Sequence, residues 1–436
     1  MPNGRLNGWK EIALHLGKGV RTVQRWEKEL GLPVHRVQSK AAEIIYAEIA
    51  ELERWLQSRE RPLPEELPED RPAARPRQWR WAWALALAAM TAILAWAVWP
   101  RPSIPYRWEV RNNSLIVFDN QNRLLWQHVF AVRLKEEVYR DGGYQNPPIA
   151  AIEDLDGDGR PEVLFTLVPG EGPNQSFYCF NHDSSIRFEQ AAIASKRFGD
   201  KTYFGPFQGL TFHVTAEADG RKTLWLARIH HKEFPSVLQK LGPDGRILAE
   251  YWSSGHIHEL EEGVALGRRV MFAGGISNEH DLAGQLAILD YKDPSGSAPS
   301  LKEYYRCRDC PQGTPLAYLI FPRMEVSYAT AGATGAKEIK VEADGSSRIE
   351  VYQGAPLSPG GSTGPTVFYF LDSRFQVLKG ELSSNFAETL RLAAQQGRFN
   401  RKLTKNPQTE LFPVLVWDGE KYVPHWPPTL PHQARR

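Results

Sequence analysis

The sequence has little cysteine and no recognisable catalytic grouping. Its 436 residues include three cysteines, Cys179, Cys307 and Cys310, which are too few for a disulfide-rich scaffold. It contains no G-x-S-x-G nucleophile elbow, no Walker-type phosphate loop and no H-E-x-x-H zinc motif. The formal net charge of +2 is too small to indicate a partner for the whole chain. We therefore expect a chain of several domains that is not an enzyme.

Charge is absent from one long stretch. No charged residue occurs from Trp81 to Trp99, a run of 19 residues that would span about 28 Å as a helix. This length is close to the hydrocarbon thickness of a bilayer, and Trp residues near both ends suit its interfaces. A buried core helix is the alternative, but core helices seldom stay apolar all round. We predict a single transmembrane helix over residues 79–99.

The flanking charges predict how this helix is oriented. Four arginines precede it closely, whereas only Arg101 and Arg107 follow it. The positive-inside rule therefore places the N-terminus in the cytoplasm and the C-terminal part outside it, with the protein in the cytoplasmic (inner) membrane. Residues 59–78 are rich in proline and mixed charge, which is typical of a semi-extended linker.

Residues 1–58 contain two short helical patterns around a Gly-Lys-Gly turn. We predict helices over Trp9–Leu16 and Val20–Leu30, followed by a helix that buries apolar side chains at helical spacing. These are Ile45, Ile49, Leu52 and Leu56. The second helix carries donor side chains on one face at i, i+3, i+4 and i+7, and such a stripe suits the major groove of DNA. Residues 1–40 have eight basic and three acidic side chains, a net charge of +5.

Ala13, Gly17 and Val23 fit the spacing of a helix-turn-helix, and residues 32–36 follow it as a short wing. In this order the segment 6–57 resembles the MerR/excisionase-like winged helix-turn-helix group, which implies a small all-α DNA-binding domain. The residues that we expect to contact DNA are Lys18, Arg21, Thr22, Gln24, Arg25, Lys28, Arg36 and Lys40. A helical module that binds protein, with a merely solvated basic stripe, is the alternative.

Residues 105–436 consist of short alternating apolar runs separated by Gly, Asp, Asn and Pro, which predicts an all-β domain. A strand–turn–strand pattern recurs five times, at 115–129, 177–190, 238–252, 286–305 and 368–382. Sheets repeated without intervening helices favour a β-propeller, for which we expect five to seven blades. Two packed β-sandwich sheets are the alternative.

The segment 151–165 reads AIEDLDGDGRPEVLF. It resembles the FG-GAP/VCBS type of propeller repeat, whose acidic loop binds calcium in some members. The resemblance implies ligation by the carboxylates of Asp154, Asp156, Asp158 and Glu162 and by the backbone carbonyl of Arg160. Oxygen ligands at alternate positions of a curled loop suit a hard cation. A loop that folds by turn hydrogen bonds alone is the alternative.

Cys307 and Cys310 form the sequence CRDC. Outside the cytoplasm a local disulfide is the expected state, since no second cysteine pair exists to complete a zinc site. His256 and His258 share a strand face at a spacing of two, but a metal site there is the less favoured interpretation.

The order of these parts predicts a membrane-anchored, one-component transcriptional regulator. Its cytoplasmic domain would bind DNA, and a homodimer is one form in which it could do so. Its extracytoplasmic propeller would sense an unknown ligand or protein. An envelope scaffold or adhesion propeller, whose helical head binds a cytoplasmic protein, is the alternative from a different class. Calcium is the only cofactor that the sequence suggests.

Overall fold

The structure is a computed structural model, and the residues that it describes fall into several ranges. These are 4–38, 43–59, 89–90, 103–140, 149–171, 176–191, 193–230, 232–233, 235–330, 332–355, 357, 364–398 and 413–426. The chain divides into two compact units, residues 1–99 and 100–436. Each unit is described by itself.

The N-terminal unit combines three helices with a small antiparallel sheet. The helices are α1 (Gly8–His15), α2 (Val20–Leu30) and α3 (Ile49–Gln57). The strands are β1 (Arg5–Asn7), β2 (His35–Gln38) and β3 (Glu43–Glu48), in the spatial order β1-β3-β2. Helix α2 has the predicted bounds. The β2–β3 hairpin begins within the predicted wing 32–36 and extends to Glu48, into residues for which a helix was predicted.

Glycines end both helices that precede the hairpin. Gly17 follows α1 with φ +62°, and Gly31 caps α2 in the left-handed conformation, which costs glycine little because it lacks a Cβ atom. The core is formed by buried apolar side chains from every helix, from β3 and from the loop that follows α2. They are Ile12, Ala13, Val23, Leu32, Ala47 and Leu52.

The all-α description of this unit was wrong. Ile45 belongs to strand β3 and pairs with Arg36 of β2, so α3 begins only at Ile49. Ile45 and Ala47 pack into the core, whereas Ile44 is 51% exposed, and β-branched side chains favour such a strand. The spacing of Ile45 and Ile49 imitates a helix although only the second residue is helical. Leu56, expected to be buried, is 39% exposed.

The C-terminal unit is built mainly from antiparallel strands, as predicted. Sheet I contains β4 (Arg107–Arg111), β5 (Ser114–Phe118) and β6 (Leu124–Val129). Sheet II contains β7 (Ala150–Glu153), β8 (Glu162–Thr166), β9 (Phe177–Phe180) and β10 (Ile186–Gln190). A separate two-stranded ribbon contains β11 (Ser195–Phe198) and β12 (Lys201–Phe204).

Three further sheets follow along the chain. Sheet III contains β13 (Phe207–Ala216), β14 (Lys222–His230), β15 (Ser236–Leu241), β16 (Ile247–Ser253) and the short parallel β20 (Gly296–Ser297). Sheet IV contains β17 (His256–Ala265), β18 (Arg268–Ser277), β19 (Ala283–Asp290), β21 (Ala317–Phe321), β26 (Val414–Trp417) and β27 (Tyr422–His425). Sheet V contains β22 (Thr334–Val341), β23 (Ser347–Gln353), β24 (Thr366–Leu371) and β25 (Val377–Leu382).

Short helices lie outside these sheets. They are α4 (Glu136–Arg140), α5 (Glu325–Ala329), α6 (Phe386–Gln395) and a 3₁₀ turn at Glu303–Tyr305.

The five sheets pack in chain order, and an apolar cluster lies between each consecutive pair. Strand β8 shows why: Val163 and Phe165 face the cluster shared with sheet I, while Leu164 faces the cluster shared with sheet III. Both faces of this strand are buried, as the period of two requires. Among the described residues no core cluster joins sheet V to sheet I, so closure into a propeller remains a prediction.

Four of the five predicted strand–turn–strand repeats are hairpins, formed by β5–β6, β9–β10, β15–β16 and β24–β25. The repeat at 286–305 is not. Strand β19 pairs with β21 instead, and β20 pairs in parallel with β16. The intervening chain forms the Glu303–Tyr305 turn and the cysteine loop.

The predicted transmembrane run 79–99 and most of the linker 59–78 lie outside the described residues. Of the run, the structure describes only Ala89 and Met90, which are helical. Within the described part of the chain, no helix has both the length and the apolar character needed to cross a membrane.

Candidate nucleic-acid interface and acidic loop

Helix α2 presents a basic face to solvent. Arg21, Arg25 and Lys28 are exposed, and Gln24 and Thr22 are half-buried beside them. Val23, on the opposite side of the helix, is fully buried in the core, which fixes the rotation of α2 about its axis. The sequence therefore aims the donor side chains outward by burying the apolar ones.

These outward cations are weakly paired. Arg25 Nε lies 3.8 Å from Glu29 Oε2, and both side chains are 64% exposed, so the pair contributes little to stability. Within the described part of the chain, Arg21, Lys28 and the exposed Lys18 form no ion pair. Exposed guanidinium and ammonium groups with such weak ion pairing remain available to phosphate oxygens or base edges.

Arg36, another predicted DNA contact, is engaged within the protein. Its Nη2 donates to both carboxylate oxygens of Glu27, at 2.9 and 3.0 Å. The side chain therefore ties β2 to α2, while His35 Nε2 lies 2.6 Å from Glu51 Oε2 and ties the same strand to α3. Lys40 lies outside the described residues.

The acidic loop between β7 and β8 folds through its own backbone amides. Asp154 accepts hydrogen bonds from the amides of Gly157 and Gly159, at 2.8 and 2.9 Å. Both glycines have φ near +80°, a conformation in which other residues are strained. Asp158 accepts from the amide of Arg160 at 2.7 Å. These hydrogen bonds from the amides of the loop close the motif into a tight turn.

Three of the four predicted carboxylate ligands come together. Carboxylate oxygens of Asp154, Asp156 and Glu162 lie within 4.8 Å of one another. Asp158 is not a member of this group, because its side chain turns back onto the loop backbone and accepts from the amide of Arg160. Among the described residues this is the one carboxylate, histidine or cysteine cluster with metal-like spacing.

Sequence reasoning missed Arg187, which lies in strand β10. Its Nη2 donates to Asp156 Oδ2 at 2.7 Å, and its Nη1 donates to Glu162 Oε1 at 3.0 Å. The remaining donor, Nε, reaches the carbonyl of Pro243 in the β15–β16 turn at 2.8 Å. Arg187 is 25 residues from Glu162 and 31 residues from Asp156 along the chain. No local sequence pattern could therefore have indicated these contacts.

The two carboxylates respond differently to this environment. Burial opposes ionisation of Asp156, but the hydrogen bond and charge of Arg187 outweigh it and hold the pKa of Asp156 below its usual value. Glu162 is 2% exposed, and burial raises its pKa although the Leu155 amide and Arg187 oppose the shift. Arg187 itself has a raised pKa, because both carboxylates outweigh its desolvation.

The residues present do not fit the calcium site that the resemblance implies. A calcium ion is held by six to eight oxygen ligands directed at one point. Here only three carboxylates are grouped, and a positive side chain already donates to oxygens of Asp156 and Glu162. The guanidinium of Arg187 already bridges two of the three carboxylates.

A cavity of about 930 Å³ lies beside the β14–β15 and β18–β19 strands of sheets III and IV. Its lining contains five basic and three acidic side chains. Lys240 is 7% exposed and donates to the carbonyl of Tyr291 at 2.5 Å; burial lowers its pKa. The Tyr291 hydroxyl donates to Glu217 at 2.5 Å. The three acidic side chains of the lining pair with Arg221, Arg268 and Arg269, which leaves two lysines, Lys240 and Lys292, in excess.

The remaining predicted groups have structural surroundings. Cys307 and Cys310 are joined by a disulfide, and Cys179 is buried and unbonded. Both bonded cysteines pack against an apolar cluster beside the β11–β12 ribbon. The rings of His256 and His258 lie 5.1 Å apart, without a third metal ligand grouped with them among the described residues.

No family model matches this chain, and no curated protein matches it. Several solved structures do. The BBS1N–ARL6DN complex soaked with lead is 7% identical, covering 65% of this chain and 84% of the other, with a TM-score of 0.26.

The Dos1 propeller is 12% identical over 65% of each chain, with a TM-score of 0.28. The GH43 β-1,3-galactosidase BT3683 with galactodeoxynojirimycin is 10% identical, covering 63% and 87%, with a TM-score of 0.29. Because the identities and TM-scores are this low, no argument about function rests on these similarities.

Proposed function

We propose that this protein is a membrane-anchored transcriptional regulator whose N-terminal unit binds DNA. The observation that supports it best is the face of α2, where Arg21, Arg25 and Lys28 are exposed around a helix that buries Val23. A recognition helix needs this arrangement, because it must enter the major groove with its donors outward and its apolar side anchored.

Two further contacts support a DNA-binding unit whose β2–β3 wing has a fixed position. The Arg36–Glu27 fork and the His35–Glu51 contact tie β2 to α2 and α3. A hairpin held in this way would keep a constant position beside the recognition helix, which favours a defined register on DNA. Arg36 therefore acts in this proposal as a positioning residue for the wing.

The anchoring and sensing parts of the proposal rest on different observations. The uncharged 19-residue run from Trp81 to Trp99 supports a membrane span and a cytoplasmic location of the N-terminal unit. The cavity of about 930 Å³, in whose lining basic side chains outnumber acidic ones by two, supports a sensor role for the C-terminal unit, with a small organic anion as ligand. A thermal-shift screen of the full-length protein against organic anions and matched cations tests the ligand class.

DNA binding by the full-length protein tests the central claim. We expect binding that weakens steeply with salt, because phosphate contacts release counterions. The double variant Arg21→Ala/Arg25→Ala should bind much more weakly, whereas Arg54→Ala, an exposed arginine of α3, should bind as the wild type does. Equal binding by all three proteins would refute the proposal.

A second candidate function is protein binding by the same unit. It is favoured by three exposed apolar side chains, Leu14 at 84%, Val37 at 48% and Ile44 at 51%, which a partner could cover. In this case a cytoplasmic partner protein would bind the wild type but not the Leu14→Glu variant. Neither the wild type nor the variant would bind DNA.

A further inference from the structure

We infer that Arg187 is the resident cation of the acidic loop, and that this loop therefore folds without calcium. Its guanidinium bridges Asp156 and Glu162 at 2.7 and 3.0 Å. The side chain is 21% exposed and the Glu162 side chain 3% exposed. A buried carboxylate needs a positive or hydrogen-bonding partner to remain ionised, and the arginine supplies both.

The position of Arg187 is held from a second direction. Its Nε donates to the carbonyl of Pro243 at 2.8 Å, so the planar guanidinium is fixed between the loop of sheet II and a turn of sheet III. Phe188, the next residue, packs where a Cβ atom on Gly245 would lie, which brings β10 close to that turn. An arginine fixed in this way cannot leave the carboxylates without breaking an inter-sheet contact.

The loop also meets sheet III directly. Lys222 Nζ lies 2.6 Å from Glu153 Oε2. The backbone amide of Lys222 donates to the carbonyl of Leu155 at 2.8 Å. Both contacts place the first residues of the acidic loop against the start of β14. The loop therefore acts as a joint between two sheets, with Arg187 performing the task that a metal ion performs in loops of this kind.

Thermal unfolding of the full-length protein, with and without calcium, tests the inference. We expect the wild type to unfold at the same temperature in EDTA and in about 1 mM calcium, a concentration that saturates many extracellular calcium modules. Arg187→Gln should unfold about 4 °C lower in EDTA. Calcium should recover part of this loss, because the variant leaves two carboxylates without their cation. Equilibrium dialysis should detect calcium bound to the variant and none bound to the wild type.

Two further variants make the test specific. Arg187→Lys keeps the positive charge, so we expect it to recover most of the stability in EDTA. Arg221→Gln removes an arginine whose pair with Asp219 is exposed, and we expect no change with or without calcium. Calcium bound by the wild type, or a wild-type midpoint that rises with calcium, would overturn the inference. A loss in Arg187→Gln that neither calcium nor lysine recovers would overturn it as well.

Discussion

Arginines on the two units of this protein are used in opposite ways. Arg21 projects from α2 into solvent and forms no ion pair within the described residues, whereas Arg187 directs all three kinds of donor nitrogen at the protein. A solvent-facing charge costs little to keep and remains free for a partner. A buried charge must be paired, and removing its partner is costly. The contrast distinguishes a surface for recognition from a structural joint.

The sharpest test of this contrast is the stability of two matched variants. Arg187→Gln should lower the free energy of unfolding by about 3 kcal/mol, because it leaves Glu162 buried without its cation. Arg21→Gln should change it by less than about 0.5 kcal/mol, as surface substitutions usually do. Urea unfolding of the full-length protein measures both. Similar losses in the two variants would remove the distinction.

Two buried histidines extend the comparison to ionisable groups whose pKa is set mainly by burial. Burial lowers the pKa of His258 to about 4, and burial together with the charge of His258 lowers that of His256 to about 3. Both groups stay neutral in the fold, so their contribution to stability is present above pH 6.5 and is lost as the pH falls toward these values. Glu259 has the opposite effect on stability as the pH falls, because burial and neighbouring carboxylates raise its pKa to about 8.

We therefore expect a net loss of about 2 kcal/mol between pH 6.5 and pH 5, because two histidines outweigh one glutamate. The double variant His256→Gln/His258→Gln should not lose stability over this range. His15→Gln, at an exposed position of α1, should behave as the wild type does. Urea unfolding at a series of pH values measures the slope, and a slope unaffected by the double variant would contradict the prediction.

Salt dependence distinguishes the two roles among the cations of the N-terminal unit. Arg21→Ala should weaken DNA binding about tenfold and reduce the slope of log affinity against log salt by about one. Arg36→Ala should leave that slope unchanged, because its guanidinium is bonded to Glu27. Fluorescence anisotropy with labelled DNA at several salt concentrations measures both quantities. An equal change of slope in both variants would mean that Arg36 contacts phosphate.

The smallest expected effect concerns the disulfide. Cys307 and Cys310 are three residues apart, and closing so short a loop removes little entropy from the unfolded chain. We expect Cys307→Ser/Cys310→Ser to cost about 1 kcal/mol. Urea unfolding measures the loss in the free energy of unfolding. A loss as large as that of Arg187→Gln would show that this loop contributes more to stability than its length suggests.

Local patterns predicted the elements that are fixed by neighbours in the chain. The bounds of α2, four strand–turn–strand hairpins and the turn geometry of residues 154–160 follow from helical periodicity, alternation and positive-φ glycines. They did not predict the β1–β3 pairing or the addition of β26 and β27 to sheet IV. Strand pairing across long separations depends on which edges remain open after the rest has packed.

The sequence by itself determined that a basic helix face precedes an uncharged run and a mostly β-sheet unit, because composition and periodicity are local properties. Only the tertiary structure decided what each charge does. Arg21 and Arg187 are the same residue type, yet one remains exposed while the other joins two sheets. Desolvation and distance to a carboxylate make this difference, and both depend on residues that the chain brings together from far apart.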